Sequence, residues 1–251
     1  MDKAAYENQL VSLAQAFKYE ELLELASQLV DDYPNWHIAW HYLAVAHGLK
    51  GNHEGAIENF IMSLKHKPTS TKALYGLSVS FHALKMYDKA IACLLKYRTL
   101  NKSGFKDSFC LGINYAELAD HAEAIKYFTE ALGFEDKNEG LLFCLADSHR
   151  ILGQFKEAVS FFELSLRLNP KNVNVLHNTA VSYTGLNDKK NAILYYQKAI
   201  ECDSNFVRSI RNLAEIYLEN SDKLAAKPLV IKLQELAPDA DYVKKMVEFF
   251  S

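Results

Sequence analysis

Two histidines spaced by one helical turn are the residues of this chain best arranged for metal chemistry. His37 and His41 are four residues apart, so on a helix both imidazoles lie on one face and could supply two ligands to Zn²⁺. The sequence offers no evident third ligand, which a bound ion needs. The motifs GxxxxGKS/T, GxGxxG, HExxH and GxSxG, which bind phosphates or carry hydrolytic chemistry, are absent. We therefore predict no metal, no cofactor and no catalytic site.

The cysteines are not paired in the way that a metal site or a disulfide framework requires. They are Cys93, Cys110, Cys144 and Cys202, and no CxxC occurs among them. Reduced thiols in a cytoplasmic protein are the expectation. Cys110 and Cys144 are separated by 34 residues, and a regulatory disulfide between them is the alternative. Adjacent helices lie ~8–10 Å apart, which favours two free thiols.

The same interval of 34 residues organises the whole chain. Four of the five prolines are Pro34, Pro68, Pro170 and Pro238, all at multiples of 34. A period of this length is the signature of an array of similar units that stack on one another and bind partners. The units are 3–36, 37–70, 71–104, 105–138, 139–172, 173–206 and 207–240, with 241–251 left as a tail.

Each unit carries the pattern of two amphipathic helices joined by a turn. Positions 4, 7, 8 and 11 of a unit are mostly apolar, as are positions 20, 24 and 27, which is the spacing of one helical face. Positions 8 and 20 are small, as in Ala44 and Ala56, so the two helices can approach closely. At position 15, Gly51, Gly153 and Asn187 predict a left-handed residue that ends the first helix.

These positions resemble the tetratricopeptide repeat, with its large residue at 4, Leu at 7, small residues at 8 and 20, aromatics at 11 and 24 and Pro at 32. The resemblance covers residues 3–240 and is clearest in the fifth unit. The matching residues there are Leu142, Leu145, Ala146, His149, Ala158, Phe162, Ser165 and Pro170. It implies an all-α fold: an α-solenoid whose antiparallel helix hairpins form a right-handed superhelix, with the first helices on its concave face.

The first and last units depart from the repeat pattern. The first has Leu10 and Leu22 where small residues belong, and we interpret 3–36 as a degenerate hairpin that caps the array. The seventh has Pro228 inside its second helix, where proline should kink the helix or delay its start.

Composition argues against two classes of partner. The formal net charge of −3 and the pI near 6.3 give no general attraction to nucleic acid or to anionic membranes. No stretch approaches the ~18–20 apolar residues of a membrane span. The first ten residues, MDKAAYENQL, lack the basic and apolar segments of a secretory signal. A cytoplasmic protein without nucleic-acid binding or membrane insertion is expected.

In the tetratricopeptide-repeat family, positions 2, 5, 6, 9, 12 and 13 of the first helix point into the concave groove. In units two to five they predict a solvent-facing apolar and aromatic trough bordered by lysines: His41, Tyr42, Val45, Lys72, Tyr75, Val79, Lys106, Phe109, Ile113 and Phe143. In units five to seven they predict a polar surface: Asp147, Arg150, His177, Asn178, Arg208, Arg211 and Asn212. A row of exposed aromatic side chains marks an interaction site. The alternative is that loop edges or the first unit cover these rings.

Such a surface predicts a non-catalytic scaffold or adaptor that binds a protein partner. The ligand is an amphipathic helix or an extended segment with two or three apolar anchors, and Arg208 and Arg211 are candidates for its acidic or amide groups. Two ligand modes of the family do not fit. Asp147 would repel the carboxylate that a carboxylate clamp captures, and an asparagine ladder needs Asn at position 6 throughout, where only three units have it.

Two other functions stay open at this point. The array can be the peptide-recruiting module of a larger enzyme or multi-subunit machine, which a reading frame continuing past Ser251 into a catalytic domain would favour. It can also self-assemble, because the expected capping helix of 241–251 carries Tyr242, Met246 and Phe249 along one stripe and could insert into the trough of a second molecule. Docking of the tail on the seventh unit is the alternative that we favour.

Overall fold

The computed structural model describes residues 2–250, and within this range the chain forms fifteen α-helices and no strand. The first eight are α1 (Lys3–Gln15), α2 (Tyr19–Asp32), α3 (His37–Leu49), α4 (His53–His66), α5 (Thr71–Ala83), α6 (Tyr87–Leu100), α7 (Phe105–Glu117) and α8 (His121–Leu132). The others are α9 (Glu139–Ile151), α10 (Phe155–Leu168), α11 (Val173–Gly185), α12 (Lys189–Cys202), α13 (Val207–Glu219), α14 (Lys223–Leu236) and α15 (Asp241–Glu248). The chain forms two compact units, an N-terminal unit of residues 1–127 and a C-terminal unit of residues 128–251, and the boundary between them lies within α8.

The helices follow the 34-residue period without drift. The first helix of each hairpin begins at the first residue of its unit: Lys3, His37, Thr71, Phe105, Glu139, Val173 and Val207. First helices have 13 residues and most second helices have 14, as the apolar spacing predicts. The all-α hairpin architecture expected from the sequence is therefore confirmed.

A left-handed residue ends the first helix of every hairpin. The seven residues are Phe17, Gly51, Lys85, Ala119, Gly153, Asn187 and Ser221, with φ between 55° and 79°. In the second hairpin the backbone N–H of Asn52 donates to the carbonyl of His47 at 2.9 Å, and Gly51 N–H donates to Gly48 at 3.0 Å. These two bonds form a Schellman motif, which satisfies carbonyls that the end of a helix leaves free.

Small residues let the two helices of a hairpin pack closely. The paired alanines at positions 8 and 20 are fully buried in four hairpins: Ala44 with Ala56, Ala146 with Ala158, Ala180 with Ala192 and Ala214 with Ala226. In the first hairpin the same places hold Leu10 and Leu22, and both are fully buried in one apolar cluster. This hairpin therefore keeps an apolar core despite its departure from the repeat pattern.

Ring pairs connect the first and second helix at two further places. Position 5 lies against position 24 in three hairpins, with centroids 5.5–6.0 Å apart and planes tilted by 53–55°: His41 with Phe60, Phe143 with Phe162 and His177 with Tyr196. Position 11 stacks on position 23 at 5.4–5.5 Å: Tyr115 with Tyr127, His149 with Phe161 and Tyr183 with Tyr195. Aromatic contacts of this geometry stabilise a fold beyond the area they bury.

The C-terminal end of the chain packs on the last hairpin. Pro228 lies inside α14, but the helix begins at Lys223, in register with the other second helices, so the delayed start does not occur. On α15, Val243 and Met246 are buried in a cluster with Ile210 and Leu233. The tail therefore docks on its own array, as we favoured. None of the helices in residues 2–250 has the length and apolarity needed to cross a bilayer.

Candidate functional site

Within each compact unit, the first helices of neighbouring hairpins lie side by side and leave clefts between them. We call the face that α3, α5 and α7 present the first-helix surface of the N-terminal unit. It holds two clefts, a polar one between α3 and α5 and an apolar one between α5 and α7. In the C-terminal unit α9, α11 and α13 present the equivalent face.

The polar cleft has a volume of about 200 Å³ and a lining of cationic, hydroxyl and imidazole groups. Its residues are Glu7, His37, Ile38, His41, Tyr42, Lys67, Thr69, Ser70, Thr71 and Lys72. Ser70 starts α5, because its side-chain oxygen accepts a hydrogen bond from the backbone N–H of Ala73 at 3.4 Å. Ser70 and Lys72 lie at this helix start, whereas Lys67 ends the preceding helix α4 as its C-cap residue.

His41 forms the buried part of the polar cleft. Its ring packs against Phe60 at 5.5 Å, and its Nδ1 is buried without a hydrogen-bond partner among the described residues. Burial, together with the charge of Lys72, lowers the pKa of His41 to about 4. Burial and the charge of Lys67 also lower the pKa of His37. Both imidazoles are therefore neutral at pH 7.

The apolar cleft has a volume of about 190 Å³ and opens around two aliphatic side chains. Its residues are Ser78, Val79, His82, Cys110, Ile113 and Asn114. Val79 is 46% exposed, whereas Asn114 is 2% exposed. The Asn114 Nδ2 donates to the carbonyl of Cys110 at 2.7 Å, and its Oδ1 lies 3.1 Å from the Nδ1 of His82. The amide is fixed by these contacts, so the exposed lining is set by Val79 and Ile113.

The first-helix surface of the C-terminal unit is more polar, and its charges are paired internally. Arg150 donates to Asp147 Oδ1 at 2.8 Å, and Asn178 Nδ2 donates to the same oxygen at 3.3 Å. Arg211 Nε donates to Glu215 Oε1 at 2.9 Å, and its guanidinium lies 4.5 Å from the ring of Tyr242. The polar character expected of this surface is present, but these groups already have partners.

Arg208 and Asn212, also predicted for the polar surface, are held as well. Arg208 Nη2 donates to Asn174 Oδ1 at 2.8 Å, and Asn212 Nδ2 donates to the hydroxyl of Tyr196 at 2.9 Å. A ligand carboxylate at Arg208 would have to compete with a neutral amide, which is a weaker partner than a charged group. Of the two arginines it is therefore the more available.

The expectation that Tyr42 of the trough faces solvent is wrong, and His177, which was predicted for the polar surface, is buried as well. Tyr42 is 8% exposed and His177 is 6% exposed. The Nδ1 of His177 lies 2.9 Å from the hydroxyl of Ser209, and burial with the charge of Arg208 lowers its pKa to about 4. His177 is therefore a neutral core residue between α11 and α13, and no ligand contact is expected there.

The rings of Tyr75 and Phe143 are only partly accessible. Tyr75 lies 6.1 Å from Tyr97, and its hydroxyl is 3.6 Å from the sulfur of Cys110. Phe143 packs on Phe162 at 6.0 Å. Phe109 lies 5.5 Å from Phe105 in a stacked arrangement. Removing these rings would disturb the packing within hairpins, so they are poor probes of binding alone.

Several lining residues were not predicted from the sequence. Lys67, Thr69 and Ser70 belong to the connection between hairpins, outside the first-helix positions on which the prediction rested. His82 was missed although it occupies position 12, one of the positions expected to face the groove. The signal for His82 was therefore present in the sequence.

The structure also locates the histidines considered for metal binding and the four cysteines. His37 and His41 line the same cleft, and the described residues contain no group of three or more His, Cys, Asp or Glu side chains able to hold a metal. All four cysteines are free thiols, and Cys202 is exposed while the other three are partly buried. Burial raises the pKa of Cys144 to about 11 and also raises that of Cys110.

Comparison with protein-family models identifies tetratricopeptide repeats in the second half of the chain and at its middle. The matched residues are 111–138, 140–172, 173–206 and 195–227. A search of curated proteins finds no match.

Several solved structures share the fold. The C-terminal part of a TPR repeat-containing protein from Cytophaga hutchinsonii has a TM-score of 0.80 at 15% identity, covering 96% of this chain and 98% of that one. YrrB, described as a TPR protein with an unusual peptide-binding site, has a TM-score of 0.69 at 17% identity, covering 74% and 96%. A chain of an APC/C hetero-tetramer has a TM-score of 0.62 at 18% identity, with 99% of this chain and 49%, about half, of that one covered. At these identities the likeness establishes the fold alone.

Proposed function

Because the chain belongs to the tetratricopeptide-repeat family, we propose that it is a non-catalytic scaffold or adaptor that binds a segment of a partner protein. The segment lies on the first-helix surface of the N-terminal unit. Its main anchor is an apolar side chain seated between α5 and α7. We further propose that the protein is cytoplasmic, because four free thiols fit a reducing compartment.

The apolar cleft between α5 and α7 is the observation that carries this proposal. Val79 is almost half exposed on a regular helix, and Ile113 reaches the same cleft from the next hairpin. An exposed aliphatic side chain, Val79, and a half-buried one, Ile113, therefore converge on a concave site, which is what a partner's anchor residue covers. The cleft floor is rigid, since Asn114 is hydrogen-bonded on both sides. YrrB, which shares the fold, carries a peptide-binding site by its description.

The test begins with a phage-displayed library of random twelve-residue peptides selected on the full chain. Affinities of the enriched peptides are then measured by fluorescence anisotropy for the wild type and for the double variant Val79→Asp, Ile113→Asp. A buried charge without a partner is costly, so we expect a loss of at least ~30-fold in affinity.

A second double variant supplies the matched control. Ile61→Asp and Leu95→Asp place the same charges at exposed aliphatic residues of α4 and α6, which are 50% and 40% exposed. This variant should bind like the wild type, and both variants should keep the wild-type circular dichroism spectrum. Equal loss in the two variants, or no enriched peptide at all, would overturn the proposed function.

A further inference from the structure

Two unpartnered lysines line the polar cleft, and a third lies in the first turn of α7, one turn before Cys110 of the apolar cleft. Lys67, Lys72 and Lys106 are exposed, and none of them forms an ion pair or side-chain hydrogen bond among the described residues. Three unpaired cations on one face leave a positive potential there, although the formal net charge of the chain is −3.

The nearby acidic groups do not neutralise this potential. Asp107 accepts the backbone N–H of Gly104 at 2.9 Å and lies 3.5 Å from Arg98, so its charge is already compensated. Glu7 is the one acidic residue that lines the polar cleft, and Lys67 and Lys72 line the same cleft. In the C-terminal unit, by contrast, Arg150 and Arg211 are each paired with a carboxylate of the same helix. Of the three arginines on α9, α11 and α13, Arg208 alone has no carboxylate partner among the described residues, since it donates to the amide of Asn174. Uncompensated cations are therefore concentrated on the N-terminal surface, although they are not confined to it.

The distance between the two clefts determines how far apart the two anchor groups of a single ligand must be. The polar cleft is at the first turn of α5, at Thr71 and Lys72, and the apolar cleft is at Val79, two turns further along. The eight residues from Thr71 to Val79 advance ~12 Å along the axis of α5. The two clefts are also separated by one spacing between neighbouring helices, which adds ~10 Å perpendicular to that axis. The diagonal is ~15 Å, which an extended chain spans in about four or five residues and a helix in about ten.

We infer that the occupant of this surface is an extended, acidic protein segment that places a carboxylate in the polar cleft and an aliphatic or aromatic side chain in the apolar cleft. Two separate small clefts suit an extended chain, whose side chains enter individual pockets, better than a helix, which needs one continuous apolar groove. This inference rests on the proposed function and specifies the class of partner segment.

The library of random twelve-residue peptides tests the chemistry directly. Enriched sequences should contain Asp or Glu about four or five positions from Leu, Ile or Phe. Enrichment of neutral or basic sequences that still lose binding in Val79→Asp, Ile113→Asp would overturn this inference and leave the proposed function intact. A spacing of about ten residues would overturn the extended conformation.

A charge reversal with a matched control tests the lysines. The double variant Lys72→Glu, Lys106→Glu should weaken binding of an enriched acidic peptide ~10-fold or more, and a peptide with Lys in place of its acidic residues should recover affinity for that variant. The control Lys65→Glu, Lys96→Glu makes the same change in net charge on α4 and α6 and should leave affinity unchanged. Equal losses in both variants would show a general effect of net charge and overturn the inference.

Discussion

Replacement of His41 by phenylalanine should stabilise the protein and remove part of its sensitivity to acid. The imidazole packs against Phe60, and its Nδ1 is buried with no hydrogen-bond partner among the described residues. Phenylalanine already occupies the equivalent place in two other hairpins, at Phe109 and Phe143. His41→Phe therefore removes an unsatisfied polar atom and introduces a side chain that this position accommodates elsewhere.

The magnitude follows from the pKa of His41. Its pKa is lowered from 6.5 to about 4, so between these values the unfolded chain binds the proton and the native chain does not. The contribution of the neutral His41 ring to the free energy of unfolding is then fully present above pH 6.5 and falls as the pH decreases toward 4. Between pH 8 and pH 5.5 the contribution of His41 to the free energy of unfolding therefore falls by about 1.4 kcal/mol. At pH 8 we expect His41→Phe to add about 1 kcal/mol by removing the unpaired nitrogen.

Thermal unfolding at several pH values, followed by circular dichroism, checks both expectations. The fall in Tm between pH 8 and pH 5.5 should be about 3–5 °C smaller in His41→Phe than in the wild type. An NMR titration of the His41 ring should show no protonation above pH 5. A ring that titrates near 6.5, or the same acid-induced fall in Tm for both proteins, would refute the reasoning.

Three further substitutions and one thiol reaction have defined outcomes. Gly153→Ala should lower the free energy of unfolding by ~1 kcal/mol in chemical denaturation, because its φ of 72° disfavours alanine. The added Cβ would meet no atom within 4 Å, so no steric clash contributes. Ala119→Gly, at φ 60°, should raise the free energy of unfolding for the same backbone reason. Gly76→Ala should destabilise by ~2 kcal/mol, since its Cβ would lie 2.3 Å from the Phe60 ring, and an unchanged Tm would contradict this. Cys202 is the exposed thiol and should react first with Ellman's reagent at pH 8, because burial raises the pKa of the other three; mass spectrometry of the labelled peptides decides it.

The regular part of this fold was predictable because it repeats. Apolar spacing and the 34-residue period placed the start of each first helix, and Gly51, Gly153 and Asn187 marked the left-handed turns. The turns at Lys85 and Ala119 carry no such mark, since neither residue type favours a positive φ. Their backbone is left-handed because the Schellman bonds of the helix end are the same in every hairpin, whatever the side chain.

The binding surface was only partly predictable because helical phase describes one helix at a time. Position 5 lies at the edge of the first helix's apolar face, and from the sequence we expected it to face solvent. A ring on the second helix reaches this edge and covers it, as Tyr196 covers His177. The clefts themselves depend on the spacing between neighbouring first helices, which one sequence does not state. Ion pairs at i, i+3 and i, i+4, such as Asp147 with Arg150, were readable from spacing alone.

Photo-crosslinking of a bound peptide tests the central claim most directly. An enriched acidic peptide is prepared with benzophenone at its apolar anchor position, irradiated with the full chain and analysed by mass spectrometry of the digested protein. The account predicts crosslinks to α5 and α7, within Thr71–Ala83 and Phe105–Glu117, which line the apolar cleft. Crosslinks confined to the second helices α4 and α6 would contradict it.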